Sequence, residues 1–174
     1  MEKWIALAKE LGFEEALPLD PALLTPRQDV RDMCAADKCG AYGKNWTCPP
    51  YIGDLGQCGE KMHSYRRGIL LQTVSGLEKI IDTRGMRRAE ERHLKRFRDF
   101  SHAIREEFPQ ALCLGTGGCR LCGTCAWPET CRFPGEALSS MEGYGLFVTD
   151  VCRSCGAAYH HGEKTVTYTA CVLF

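Results

Sequence analysis

Residues 111–134 read ALCLGTGGCRLCGTCAWPETCRFP: the segment starts as a short apolar strand and runs straight into four cysteines. Its opening, Ala111 to Gly115, predicts a strand. Before it lies Met86 to Phe108, long enough for a helix, with Leu94, Phe97, Ile104 and Phe108 on a core stripe and Pro109 ending it. Before that again, Gly68 to Ser75 (GILLQTVS) is a continuous apolar run that reads as a buried strand. Strand, long helix, strand is a βαβ unit, whose crossover should be right-handed. The fold class expected is therefore α/β, a small sheet with a βαβ unit and cysteine-rich cluster-binding loops at one end.

Working outward, Trp4, Ile5, Ala8 and Leu11 share one helical face that Gly12 stops. Pro18, Pro21 and Pro26 make residues 18–30 read as an extended connection, and residues 34–60 as a glycine-rich loop. Ser139 and Glu142 match a capping box for a short helix. Thr149 could cap another helix, running through Cys155 and closed by Gly156. Thr165 to Phe174 is a last strand, apolar enough to be central. One α/β domain over residues 1–174 is expected, with cysteine-rich loops at 34–60 and 113–135.

The four cysteines are spaced Cys119-x2-Cys122-x2-Cys125-x5-Cys131, with Pro134 following. Bacterial iron–sulfur sites use C-x2-C-x2-C-x3-C-P, so the first three positions are the same and the last gap is longer. Two intervening residues let successive sulfurs reach neighbouring corners of a cubane. Structural zinc also takes four thiolates, but its ligands usually come as two separated C-x2–4-C pairs. Disulfides and free thiols are the remaining uses.

A second group lies upstream: Cys34-x4-Cys39-x8-Cys48, then Pro49 and Pro50. Proline after a ligand cysteine fixes the chain direction and removes a competing N–H. Gly40 and Gly43 permit the left-handed turns that wrap backbone around a cluster. Two sites are thus indicated. In the simple partition Cys119, Cys122, Cys125 and Cys131 hold one, and Cys34, Cys39 and Cys48 hold the other one ligand short. Cys58, Cys152, Cys155 or a water or substrate are candidates for the vacancy. A crossed partition, with Cys131 joining the upstream set and Cys113 completing the other, is the alternative.

The chain resembles the bacterial and archaeal predicted metal-binding proteins, a domain of unknown function. The matching residues are Cys34, Cys39 and Tyr42; Cys48-Pro49-Pro50; Cys119, Cys122, Cys125, Cys131 and Pro134; and SMEGYG, Ser140 to Gly145. The resemblance spans nearly the whole chain and implies metal binding, with iron–sulfur the expected form, but no reaction. Cys58, Cys113, Cys152, Cys155 and Cys171 stand outside its pattern.

Composition narrows the function classes. The 174 residues carry 22 basic and 22 acidic side chains, so net charge is zero and argues for no general nucleic-acid partner. No apolar run reaches membrane-span length. The acid-bearing start MEKWIALAKELGFEE is not expected to be a secretory signal. Twelve cysteines in a cytoplasmic chain point to metal rather than disulfides. An anaerobic or low-oxygen setting is expected, since oxygen attacks exposed clusters.

Other constellations are weaker. Cys152-x2-Cys155 is either a redox dithiol or a pair of small buried residues, and Cys171 belongs in the core. His160 and His161 are adjacent, so their side chains point apart and suit a loop better than one metal. Arg84, Arg87, Arg88, Arg92, Lys95, Arg96, Arg98 and Arg105 make a basic stripe. It is either a docking face for an acidic redox partner or a solvated surface with Glu91–Lys95 as an i, i+4 pair. Trp46, Tyr51 and Trp127 are placed to shield clusters from solvent. No phosphate loop, dinucleotide fingerprint or Ser-His-Asp order is present. The function expected is binding of two [4Fe–4S] clusters and electron transfer to a partner protein. The alternatives are an enzyme with an open iron at Cys34, Cys39 and Cys48, and a zinc-stabilised interaction module.

Overall fold

The computed structural model describes residues 1–174. In chain order it contains α1 (Glu2–Glu10), β1 (Glu15–Leu19), a 3-10 turn (Pro21–Leu23), α2 (Gln28–Ala35), α3 (Leu55–His63), β2 (Gly68–Gly76), α4 (Thr83–Glu107), β3 (Leu112–Gly115), β4 (Ser139–Ser140), α5 (Val148–Ser154) and β5 (Thr165–Leu173). The strands form one mixed sheet in the order β1-β2-β5-β3-β4. Both β2 and β3 run antiparallel to β5, so they are parallel to each other. The expected βαβ unit is therefore present in split form, with α4 as the crossover and the last strand inserted in the middle.

Alternation along the strands explains why β2 and β5 are so apolar. Ile69, Leu71, Ala170, Val172 and Cys113 face a core built with Trp4, Phe97, Phe100 and Ile104 from α1 and α4. Leu70, Cys171, Leu173 and Leu114 face the opposite core, with Met62 of α3 and Val151 and Cys152 of α5. A sheet covered on both sides hides every second residue twice over and reads as a continuous hydrophobic run. Phe97 and Phe100 are fully buried, and each contributes about 1.5–3 kcal/mol by leaving water.

Several expectations are corrected. Residues 18–30 are not merely an extended connection. Pro18 belongs to β1 and pairs with Ile69, while α2 starts within the same stretch. Proline is tolerated there because β1 is an edge strand. The glycine-rich 34–60 segment contains most of α3, started by a reciprocal box between Asp54 and Gln57. Gly59 lies inside that helix because a Cβ there would stand 3.4 Å from Pro26. Ser139 caps no helix. It forms β4 with Ser140, and the Ser140 hydroxyl accepts the Gly143 N–H at 2.9 Å inside a turn. The long helix begins earlier than Met86, because the Asp82 carboxylate caps it by accepting from Gly85 N at 2.8 Å. Its buried stripe includes His93 and Phe100 as well as Phe97 and Ile104, whereas Leu94 and Phe108 are half-buried.

The sheet places the candidate site. β3 and β4 are parallel neighbours, so the loop leaving β3 toward Cys119 and the SMEGYG segment leaving β4 emerge at the same end.

Candidate metal centre

Cys34 sits in the last turn of α2, half-buried, with its thiol 3.8 Å from the Glu142 carbonyl. The SMEGYG segment is therefore part of the wall of the upstream site. After Cys34 the chain turns sharply, through Asp37 at φ 50, Gly40 at φ 71 and Gly43 at φ 64. Asp37 holds this loop together, accepting from Tyr42 N at 2.9 Å and pairing with Lys44 at 3.2 Å. Gly43 N donates to Pro49 O at 2.9 Å and closes the loop over Cys48. The Pro49–Pro50 and Trp127–Pro128 bonds are cis.

The two cysteine groups, separate in sequence, meet in space. Asn45 and Thr47, both buried, make the join. Asn45 Oδ1 accepts from the Thr47 N–H and the Thr47 hydroxyl, both at 3.0 Å. Its Nδ2 donates to Cys119 O at 3.2 Å, and Thr47 Oγ1 accepts from Cys119 N at 3.3 Å. Neither residue was singled out from the sequence. The only local sign was a buried-type amide and hydroxyl inside a ligand loop, and their partners lie more than seventy residues away.

Cys119, Cys122, Cys125 and Cys131 line one cavity together with Asn45 and Thr47. A second, more open cavity is shared by Cys39 with Cys119, Cys122 and Cys125, and has Lys44 and Arg120 at its edge. A Cβ on Gly118 would stand 3.4 Å from Cys48 Sγ, so a glycine there lets the two loops touch. The donor set has the chemistry of a soft-metal site: four cysteines line the first cavity, and three of them with Cys39 line the second. No three His, Cys, Asp or Glu side chains are drawn together at the spacing of a single ion.

Electrostatics at the site follow from burial. The Cys48 thiol is pushed up to about 11, first by desolvation and then by its neighbour Cys39, with Cys34 and Cys119 adding smaller effects. Cys34 is raised by burial and by the nearby Glu142. The Glu142 carboxyl is itself raised by burial. Thiols like these stay protonated until a cation replaces the proton, so loading with metal releases protons.

Trp46, Tyr51 and Trp127 pack in series as tilted rings, with centroids 5.0 and 5.8 Å apart. Trp46 Nε1 also donates to Glu129 O at 2.8 Å, which ties the upstream loop to the downstream one.

The other cysteines have different surroundings. All twelve are free thiols. Cys58 is buried in α3, donating to Ile52 O at 3.6 Å and accepting from Arg31 Nη2 at 3.4 Å. Cys113 and Cys171 are buried in the two cores. Cys152 is buried against Gln72 Nε2 at 3.3 Å, and burial raises its thiol. Burial also raises Cys155, to about 11. Both shifts run opposite to the lowered pKa that a reactive dithiol needs.

On α4 the ion pairs are Arg87–Glu91 and Lys95–Asp99, at 3.8 and 2.8 Å, rather than Glu91–Lys95. Arg96 also pairs with Glu14, so the basic stripe is partly neutralised, while Glu90 of the same helix pairs outside it with Arg120. Of the adjacent histidines, His160 accepts from Gly162 N at 3.2 Å within a turn. No helix is long and apolar enough to cross a membrane.

No curated protein and no solved structure matched the chain. A family model does match: over residues 18–174 the chain belongs to the family described as Predicted metal-binding protein (DUF2284).

Proposed function

We propose that this metal-binding protein holds two [4Fe–4S] clusters through Cys34, Cys39, Cys48, Cys119, Cys122, Cys125 and Cys131, and passes electrons to a partner protein in the cytoplasm. The observation that carries this reading is the convergence of Cys119, Cys122, Cys125 and Cys131 on one cavity whose wall is the upstream cysteine loop. A bound cluster supplies one-electron chemistry. The chain's own residues do the rest. The cysteines would hold the irons, Asn45 and Thr47 fix the loops against each other, and the Trp46–Tyr51–Trp127 ring cluster limits solvent access, which helps set the potential. Twelve free thiols suit a reducing, low-oxygen compartment. The partner would dock over the cysteine loops.

A second reading is favoured by one specific observation. Seven matching cysteines serve two clusters that together require eight ligands, and the Glu142 segment lines the wall beside Cys34. A cluster with three protein ligands would leave one iron without its cysteine; that iron would bind a small molecule, and the protein would then be an enzyme.

Anaerobic purification followed by iron and acid-labile sulfide analysis tests both. About eight irons and eight sulfides per chain are expected for two cubanes. Zinc without sulfide would overturn both readings and leave a zinc-stabilised module. If iron is found, a change in the reduced EPR signal on adding small ligands would select the open-iron enzyme over the carrier.

A further inference from the structure

The two cysteine groups differ in spacing and are separated by the whole split βαβ unit, so in sequence they look like independent sites. The structure joins them in three ways. First, Gly118 lies against Cys48, with only 3.4 Å between the sulfur and the place where a Cβ would stand. Second, Cys119 is fastened to the upstream loop at both of its backbone polar atoms, its carbonyl by Asn45 and its N–H by Thr47. Third, Cys39 of the upstream group shares a cavity with Cys119, Cys122 and Cys125. Each contact involves one of the seven cysteines or its immediate neighbour, and together they bring the two sets into direct contact.

We propose that the two cysteine sets form one double site, joined across the Cys48–Gly118 contact, in which Cys119 is the residue where the sets meet and two clusters, once bound, would interact. This rests on the iron–sulfur reading above. Cys119 then lies on the path between the clusters, and an electron placed on either reaches the other without crossing a hydrophobic core. The second electron enters against the charge of the first. That repulsion grows as the distance shortens, so the two one-electron reductions would separate. The Asn45–Thr47 clamp acts as a positioning device, because it sets the distance between the two sets rather than contacting iron.

The test uses the whole protein, anaerobically purified and fully reduced by excess dithionite, which supplies one electron to each cluster. With two clusters per chain by iron and sulfide content, the EPR spectrum should be broadened and split beyond the sum of two independent signals. Cys131→Ser, expected to keep half the iron, should give a single unsplit signal. A wild-type spectrum that is a simple sum of two non-interacting signals, at full two-cluster content, would overturn the double site while leaving the iron–sulfur reading intact. Zinc, or iron for one cluster only in the wild-type protein, would overturn the reading itself and the double site with it. If Cys131→Ser fails to fold, the wild-type spectrum still decides, because the microwave-power and temperature dependence of interacting centres differs from that of isolated ones.

Discussion

The Asn45 side chain donates to the Cys119 carbonyl at 3.2 Å, across 74 residues of sequence, while its oxygen takes both polar hydrogens of Thr47. One buried amide thus holds the upstream loop in shape and attaches it to the start of the downstream run.

Asn45→Ala removes three hydrogen bonds at once and orphans buried groups on Thr47 and Cys119. The expected cost is about 1–3 kcal/mol, with iron lost from the downstream set first. Asn45→Asp keeps the acceptor for Thr47 but sets a carboxylate against the Cys119 carbonyl. It should retain more stability than the alanine variant and lose as much iron. Iron content read beside anaerobic urea denaturation separates the two effects. Full iron in both variants would mean that the clamp plays no part in the site.

Cysteine substitutions should divide cleanly by place in the fold. Cys122→Ser is expected to remove about half the iron and sulfide and leave the upstream signal. Cys171→Ala should keep the full content, since Cys171 is wholly buried in the core facing α3 and α5. Its expected effect is a modest loss of stability, about 1 kcal/mol for a small cavity. Loss of iron from Cys171→Ala would place that thiol at the metal and contradict the division.

What the sequence made legible follows the range of the interaction responsible. The α4 helix, β2 and β5 were readable because burial imposes a period of 3.6 residues, or a continuous apolar run, on the chain itself. The two cysteine groups were readable because each is a short, regular spacing along the chain. β1 was hidden by Pro18, which an edge strand accepts and a central strand would not. α3 was hidden by Gly56 and Gly59, although the Asp54–Gln57 box stood at its start. The cap at Ser140 was misplaced by one residue, since a hydroxyl that stabilises a turn looks in sequence like one that starts a helix. The meeting of the two cysteine groups left no periodic trace. It depends on Asn45, Thr47 and Gly118, which become informative only once the sheet has brought the loops together.

Trp46, Tyr51 and Trp127 bridge the two loops as packed, tilted rings, and the Trp46 N–H reaches Glu129 O at 2.8 Å. Trp46→Ala should therefore open solvent access and loosen the loop junction together. The bleaching of the cluster's visible absorbance in air is expected to accelerate several-fold, with anaerobic iron content little changed. Trp46→Phe keeps a ring but loses the hydrogen bond, and should fall between the two. An unchanged bleaching rate in the alanine variant would remove the shielding role.

His93 provides a pH test well away from the cysteines. It is fully buried on α4, with Nδ1 3.0 Å from Thr73 Oγ1, Nε2 unpartnered, and rings of Phe13, Phe97 and Tyr168 around it. Burial, with a smaller push from Arg96, holds its pKa down to about 3, against 6.5 for an exposed imidazole. The native state thus keeps His93 neutral where the unfolded chain takes up a proton. Its contribution is fully present above pH 6.5 and is lost as pH falls toward 3, at about 1.4 kcal/mol per pH unit. In His93→Phe the ring packing is largely preserved and this slope disappears. The stability difference between wild type and variant should therefore move toward the variant by about 2 kcal/mol between pH 6.5 and 5. Hydrogen-exchange protection of the β2 amides, corrected for the intrinsic pH dependence of exchange, measures it with the metal centre in place. Parallel pH profiles for the two proteins would mean that His93 titrates normally in the native state, and that the core beneath α4 admits water.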